Sequence, residues 1–173
     1  PRSTLSSSSA ASDVYKRQFR TFALDYELDD MKVMHTTEFL VEKGFDMGLK
    51  TNDEVTVTYH DPCRLGRQMN IYDEPRDLVG SVEGVNLVEM EHTGEDALCC
   101  GVSSMMSCNE NSRALRVQRF DEVRETGADI MLTSCPKCVA HFECLKFEGD
   151  PRHDFEILDV VSFLARQIEE SRN

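Results

Sequence analysis

Residues 130–138 read Ile-Met-Leu-Thr-Ser-Cys-Pro-Lys-Cys, and they decide the fold. Ile130–Thr133 is a short apolar run of the kind that forms a buried strand. Two residues later comes Cys135, and Pro136 then fits the first position of a helix running to Lys146, where a missing N–H costs nothing. A strand that passes directly into a helix is the unit from which open parallel sheets are built. Such sheets bind ligands in the crevice beyond the carboxyl ends of their strands, which is where this stretch puts two thiols.

Working outward, the same alternation recurs. Val55–Tyr59 (VTVTY) is β-branched and aromatic and predicts a strand; Asn86–Met90 (NLVEM) predicts another, and Phe155–Leu158 a last edge strand. Met31–His35 reads as a first strand, with Thr36 or Thr37 as N-cap of a helix that Gly44 terminates. Tyr72–Val79 predicts a short helix with Pro75 in its first turn. A longer helix spans residues 111–126, with Leu115, Phe120 and Val123 on its apolar side and Gly127 as its end. Val161, Leu164 and Ile168 mark an amphipathic C-terminal helix. The charges over residues 110–125, like Glu42 and Lys43, read as a solvated face. The expected fold is α/β: a parallel-type sheet with flanking helices and cysteines in loops at the C-terminal ends of strands.

The chain has 173 residues, a length for one domain that needs no disulfides to hold a core. Residues 1–18 differ from the rest: they are Ser-rich, lack apolar periodicity, begin at Pro1, and end in SSAASDVYKRQ, which resembles a translated sequencing-adapter remnant. They are set aside as disordered or artefactual, leaving residues 19–173 as one cysteine-rich domain. Acidic residues outnumber basic ones 32 to 19, for a net charge of −13. That balance argues against nucleic acid, which needs surplus Lys and Arg. No apolar run reaches the length of a membrane span.

Seven cysteines cannot all pair, and no secretory signal precedes them, so a reducing, cytoplasmic setting is expected. Cys108 and Cys144 read as small hydrophobes. The other five do not. Cys63 follows the strand ending at Tyr59, Cys99 and Cys100 follow the strand ending at Met90, and Cys135 and Cys138 follow Thr133. Three strand ends thus deliver five thiols to one sheet edge. A helix N-terminus at Pro136 favours the thiolates that bind metal. Gly101 allows a tight turn beside the adjacent pair. Five thiols exceed the four of a tetrahedral zinc site, which points to an iron–sulfur cluster, with zinc on four of them as the alternative.

The motifs YHDPCRLGR at 59–67, CCG at 99–101 and SCPKC at 134–138 give the spacing C-x35-C-C-x34-C-x-x-C. This resembles the cysteine-rich CCG domain of heterodisulfide reductase and related iron–sulfur oxidoreductase subunits, nearest to the D-type catalytic subunit in DPCRLGR, YDEPR and ALCCGV. The resemblance covers residues 31 to 165. It implies that Cys63, Cys99, Cys100, Cys135 and Cys138 ligate a noncubane [4Fe–4S] cluster, and that such clusters cleave the mixed disulfide of coenzymes M and B with electrons from partner subunits. Only one five-cysteine set is present, with no ferredoxin-like run, so the chain is expected to be a C-terminal fragment holding half of an active site. Relatives of the domain serve glycolate, lactate or glycerol-3-phosphate dehydrogenases alongside a flavoprotein. There the domain carries electrons, which is the competing expectation, next to a non-catalytic zinc module. Partners are therefore redox subunits (cytochrome, ferredoxin-like or flavoprotein) and a disulfide substrate. Through them the chain could sit peripherally on a membrane.

His60 and Asp61 precede the first of these cysteines and are candidate catalytic groups, supplying a proton or a hydrogen bond to a leaving thiolate. The plainer reading is that His60 caps the strand end and Asp61 holds the turn at Pro62. Arg64 and Arg67 could attract anionic substrate groups, and Lys137 could offset thiolate charge. Met105 and Met106 read as core filler.

Overall fold

The computed structural model describes residues 26, 32–44, 48–101 and 109–171. Residues 1–18, Met105, Met106 and Cys108 lie outside the described residues. Four strands, β1 (Lys50–His60), β2 (Glu83–Val88), β3 (Ile130–Thr133) and β4 (Glu156–Asp159), form one sheet in the order β2-β1-β3-β4. Every pairing is parallel, with Val57–His60 of β1 beside Ile130–Thr133 of β3. The helices are α1 (Thr36–Glu42), α2 (Gly66–Met69), α3 (Asp73–Gly80), α4 (Glu110–Thr126), α5 (Pro136–Phe147) and α6 (Val160–Glu170), with a 3-10 turn at Gly94–Asp96.

Period-2 alternation in the strands divides the core. Val57, Tyr59, Ile130 and Leu132 point to one face and are covered by Leu78 and Val79 of α3 and by Phe163 and Leu164 of α6. Met131 and Ile157 point to the other, beneath Phe120 and Val123 of α4 and Phe142 and Leu145 of α5. Burying a side chain such as Phe142, which is fully inaccessible, contributes up to about 3 kcal/mol. Both sheet faces are covered, as an all-parallel sheet requires.

The α/β expectation holds, and β3 and the start of α5 fall where the sequence puts them. The strand expected at Met31–His35 is absent over residues 32–35, which are irregular, and Met31 lies outside the described residues. His35 is instead the N-cap of α1, accepting from the Thr37 N–H while the Glu38 carboxylate accepts the His35 N–H. That reciprocal capping box starts the helix one residue ahead of the expected threonine caps. β2 ends at Val88, two residues short of Met90, which is buried beyond the strand. The buried stripe of α6 is Val160, Phe163, Leu164 and Gln167, so Val161 is exposed.

The largest departure is in α4. Its charges are not all solvated: Arg116 and Arg119 are completely inaccessible and Glu122 is nearly so. They occupy the inward phase of the helix, in line with Ser112, Phe120 and Val123.

Candidate metal centre

With strand order β2-β1-β3-β4, the chain leaves β1 toward one side of the sheet and β3 toward the other. The crevice between their carboxyl ends is the position where such sheets accept ligands. His60 closes β1 and Thr133 closes β3, side by side in register. Cys63 lies in the turn that leads from β1 into α2, Cys135 is the N-cap of α5, and Cys138 is in its first turn.

Two arginines cross-link the loops at this edge. Arg76 of α3 grips the Asp61 carboxylate with both terminal nitrogens, at 2.8 and 2.9 Å. Asp61 also accepts from the Gly94 N–H at 2.8 Å and the Thr93 hydroxyl at 3.2 Å. Burial alone would raise the Asp61 carboxyl, but its bonds to Arg76, Gly94 and Thr93 prevail and hold it below the usual carboxylate range. With four donors on it, Asp61 acts as a brace between β1 and the segment that leads to the CCG motif. Arg67 of α2 donates to the Ala97 carbonyl, tying the Cys63 turn to the same segment. Lys137 is exposed.

The CCG turn is held from below. Gly101 has φ +88°, and a Cβ there would lie 2.8 Å from the Ser112 carbonyl oxygen and 3.3 Å from Cε1 of His141. Only glycine fits both the conformation and the space. The Gly101 N–H donates to the Cys99 sulfur at 3.3 Å. His141 of α5 donates from Nδ1 to the Cys100 carbonyl at 2.6 Å, and its Nε2 accepts from Arg116 at 2.8 Å.

These contacts bring Cys100 and Cys138 to an Sγ–Sγ distance of 3.2 Å, and Cys138 is also hydrogen-bonded to Cys135. Cys100, Cys135 and Cys138 are buried; Cys63 and Cys99 are half-buried, and Cys99 acts electrostatically on both His60 and His141. None of the six described cysteines is in a disulfide. Cys144, expected in the core, is half-buried on α5 and donates toward the Ala140 carbonyl. A ring nitrogen of His60 and the sulfurs of Cys100 and Cys138 lie within 4.8 Å of one another.

The helix dipole at Cys135–Cys138 favours thiolate, yet the Cys138 thiol is pushed well above its ordinary value. Its hydrogen bonds to Cys100 and Cys135 come first and burial adds to them. Crowding therefore outweighs the dipole. A thiophilic cation reverses that order by taking the thiolates as ligands. The surroundings fit such a group. The hydroxyls of Thr58 and Thr133 and Nη2 of Arg119 are buried and without a hydrogen-bond partner among the described residues. Thr58 and Thr133 lie on the same sheet face as His60.

His60 is pushed down to about 3, by burial first and then by the Arg119 charge, so it is neutral. Its ring meets Phe142 edge-on at 4.9 Å. Arg119 donates from Nε to His60 Nδ1 at 3.1 Å and from Nη1 to the His92 carbonyl at 2.7 Å and Glu122 at 2.5 Å. The sequence signals the cysteines but not Arg116, Arg119, Glu122 and His141. The available sign was the phase of α4, where two arginines stand in line with Phe120 and Val123.

Fold and thiols together define a cysteine-rich α/β domain with a soft-metal donor set at the switch point of its sheet. The model of the CCG cysteine-rich domain matches residues 57–143, and the chain belongs to that family. The D-type subunit of the dihydromethanophenazine:CoB–CoM heterodisulfide reductase of Methanosarcina acetivorans is 32% identical over 142 residues, covering 79% of this chain and 34% of the relative. The probable iron-sulfur-binding oxidoreductase FadF of Bacillus subtilis is 28% identical, over 91% of this chain and 22% of the relative. The B-type subunit of the fumarate reductase (CoM/CoB) of Methanothermobacter marburgensis is 30% identical, over 78% and 27%. The chain thus spans about a third or less of the length of these relatives. What the chain shares with these iron–sulfur and reductase relatives is the cysteine-rich domain. No helix among the described residues is long and apolar enough to cross a membrane.

Proposed function

We propose that Cys63, Cys99, Cys100, Cys135 and Cys138 hold a [4Fe–4S] cluster of the noncubane type, and that the domain is the redox site of a subunit that reductively cleaves a disulfide such as coenzyme M–coenzyme B. The observation that carries this is the meeting of the CCG and CPKC thiols, Cys100 against Cys138 at 3.2 Å, at the carboxyl edge of the sheet. The names of the heterodisulfide reductase and fumarate reductase relatives supply the substrate class.

When bound, the cluster supplies electrons and an iron able to hold a sulfur ligand. The chain's own residues do the rest. Cys63 and Cys99, half-buried, are the thiols of the set most open to solvent. His60, neutral and buried, has a ring nitrogen within 4.8 Å of the Cys100 and Cys138 sulfurs. Asp61 and Arg76 hold the loops. Cleaving one S–S bond consumes two electrons and two protons and yields two thiols; the electrons come from a partner redox subunit.

The FadF relative favours a second reading, in which the domain passes electrons to a partner without touching a disulfide. Anaerobic reconstitution with ferrous iron and sulfide, followed by iron and sulfide analysis and EPR, tests both. About four iron atoms per chain is the expected loading. An EPR spectrum that changes when coenzyme M–coenzyme B disulfide is added to the reduced protein supports cleavage, and an unchanged spectrum supports electron relay. One equivalent of zinc with no iron uptake overturns both.

A further inference from the structure

His60, Cys100 and Cys138 gather closely enough to look like a mixed imidazole–thiolate metal set. The surroundings of His60 argue otherwise. A metal-bound histidine offers the lone pair of one ring nitrogen and uses the other as an N–H donor to a carboxylate or carbonyl. At His60 the Nδ1 nitrogen meets a donor instead of an acceptor, because Arg119 Nε–H reaches it at 3.1 Å. A guanidinium has no acceptor to offer. The Nδ1 lone pair is therefore occupied, and in the neutral ring Nε2 carries the proton. Ligation through Nε2 would require an imidazolate or the loss of the Arg119 bond.

Neither partner is free to turn away. Arg119 is completely inaccessible, and its Nη1 is fixed by the His92 carbonyl and Glu122. Glu122 is itself held by His92 at 2.7 Å. Phe142 fixes the plane of the His60 ring, with the two rings at 89°. Reversing the ring would leave the buried Arg119 Nε without an acceptor.

We infer that Arg119 is a positioning residue that locks His60 in its Nε2–H form, bars it from the metal, and makes it a hydrogen-bond donor to sulfur at the centre. The sulfur half of this inference rests on the cluster reading above; the tautomer half does not. His141 is a built-in control. It has the same arginine pairing, with Arg116 reaching Nε2, but its Nδ1 donates to the Cys100 carbonyl, so it holds the opposite tautomer.

Long-range ¹H–¹⁵N correlation spectra of the full chain, metal-free and ¹⁵N-histidine labelled, read both tautomers directly. The expected result is Nε2–H at His60, assigned by its disappearance in His60→Gln, and Nδ1–H at His141. An Nδ1–H form at His60 overturns the inference. In the paired variant Arg119→Leu with Glu122→Gln, which removes both buried charges together, the His60 preference should be lost. After reconstitution, His60→Gln and His60→Leu should keep the iron content of the wild type, and His60→Leu should have the lower midpoint potential because it lacks a donor. Iron loss in both as severe as that of Cys100→Ala overturns the inference, since His60 would then be a ligand. A wild-type chain that takes up no iron overturns the function proposed above, while the metal-free spectrum still decides the tautomer.

Discussion

Arg76 and Asp61 form a two-pronged ion pair, Nη1–Oδ1 at 2.8 Å and Nη2–Oδ2 at 2.9 Å, that bolts the end of β1 to α3. The same guanidinium bonds Glu89 and Thr93 and lies 5.0 Å from the centre of the Tyr59 ring. One arginine thus fixes three chain segments around the thiol crevice. Asp61 is only 2% exposed, so removing Arg76 strands a buried charge. Arg76→Ala is expected to cost about 3 kcal/mol of stability. Urea unfolding measures it, and a loss below about 1 kcal/mol would show that the pair is not a brace.

Gly101 is the tightest point of the CCG turn. Gly101→Ala forces a residue with φ +88° to place a methyl group 2.8 Å from the Ser112 carbonyl. The backbone strain alone is about 1–3 kcal/mol, and the clash must be relieved by moving the turn that carries Cys100. The variant should melt at lower temperature and load less iron than the wild type in the same reconstitution. Full loading would mean that the turn relaxes without moving the thiol.

The cysteines divide by position. Cys100→Ala removes a buried thiol at the sulfur–sulfur contact and should abolish cluster binding. Cys144→Ala changes a half-buried position on α5 and should leave iron content nearly intact. Iron analysis of the two variants side by side decides it; equal losses would place Cys144 among the ligands.

Glu156 and Arg166 pair at the surface through two contacts, 2.8 and 2.5 Å. Hydrogen bonding to Arg166 holds the Glu156 carboxyl below its usual range, against a smaller opposing effect of burial. The folded state therefore releases this proton more readily than the unfolded one. The pair stabilises the fold above the ordinary glutamate range, and the gain disappears as pH falls through the lower folded-state value. Both side chains are more than a third exposed, at 45% and 37%, so water screens the interaction. Arg166→Ala should cost less than about 1 kcal/mol at neutral pH and nothing in strong acid, as read by urea unfolding at both.

The sheet and the thiols were legible because their signals are local. β3 is an apolar run stopped by Ser134, and Pro136 fixes the start of α5. Met31–His35 carries the same kind of apolar residues, but residues 32–35 pair with no strand among the described residues, and a capping box with Glu38 makes His35 the start of α1. The buried arginines were not legible, because a charged residue in the apolar phase of a helix looks solvated until its partner is known. Arg119 finds His60 59 residues away, and Arg116 finds His141 25 residues away. Of the expected α6 stripe, Leu164 is buried and Ile168 packs against the core, but Val161 gives way to Val160, an equally apolar neighbour that only packing against the sheet tells apart.

The pairing of Val57–His60 with Ile130–Thr133 has a kinetic consequence. It joins stretches 73 positions apart, so loop closure must be completed before the crevice exists, and such long-range parallel contacts form slowly. A nascent chain on the ribosome that has not yet released β3 can pair β1 with β2, but it presents Cys63, Cys99 and Cys100 without Cys135 and Cys138. Metal delivered at that stage would meet an incomplete set of thiols. Loading of the proposed centre therefore belongs after translation of the domain.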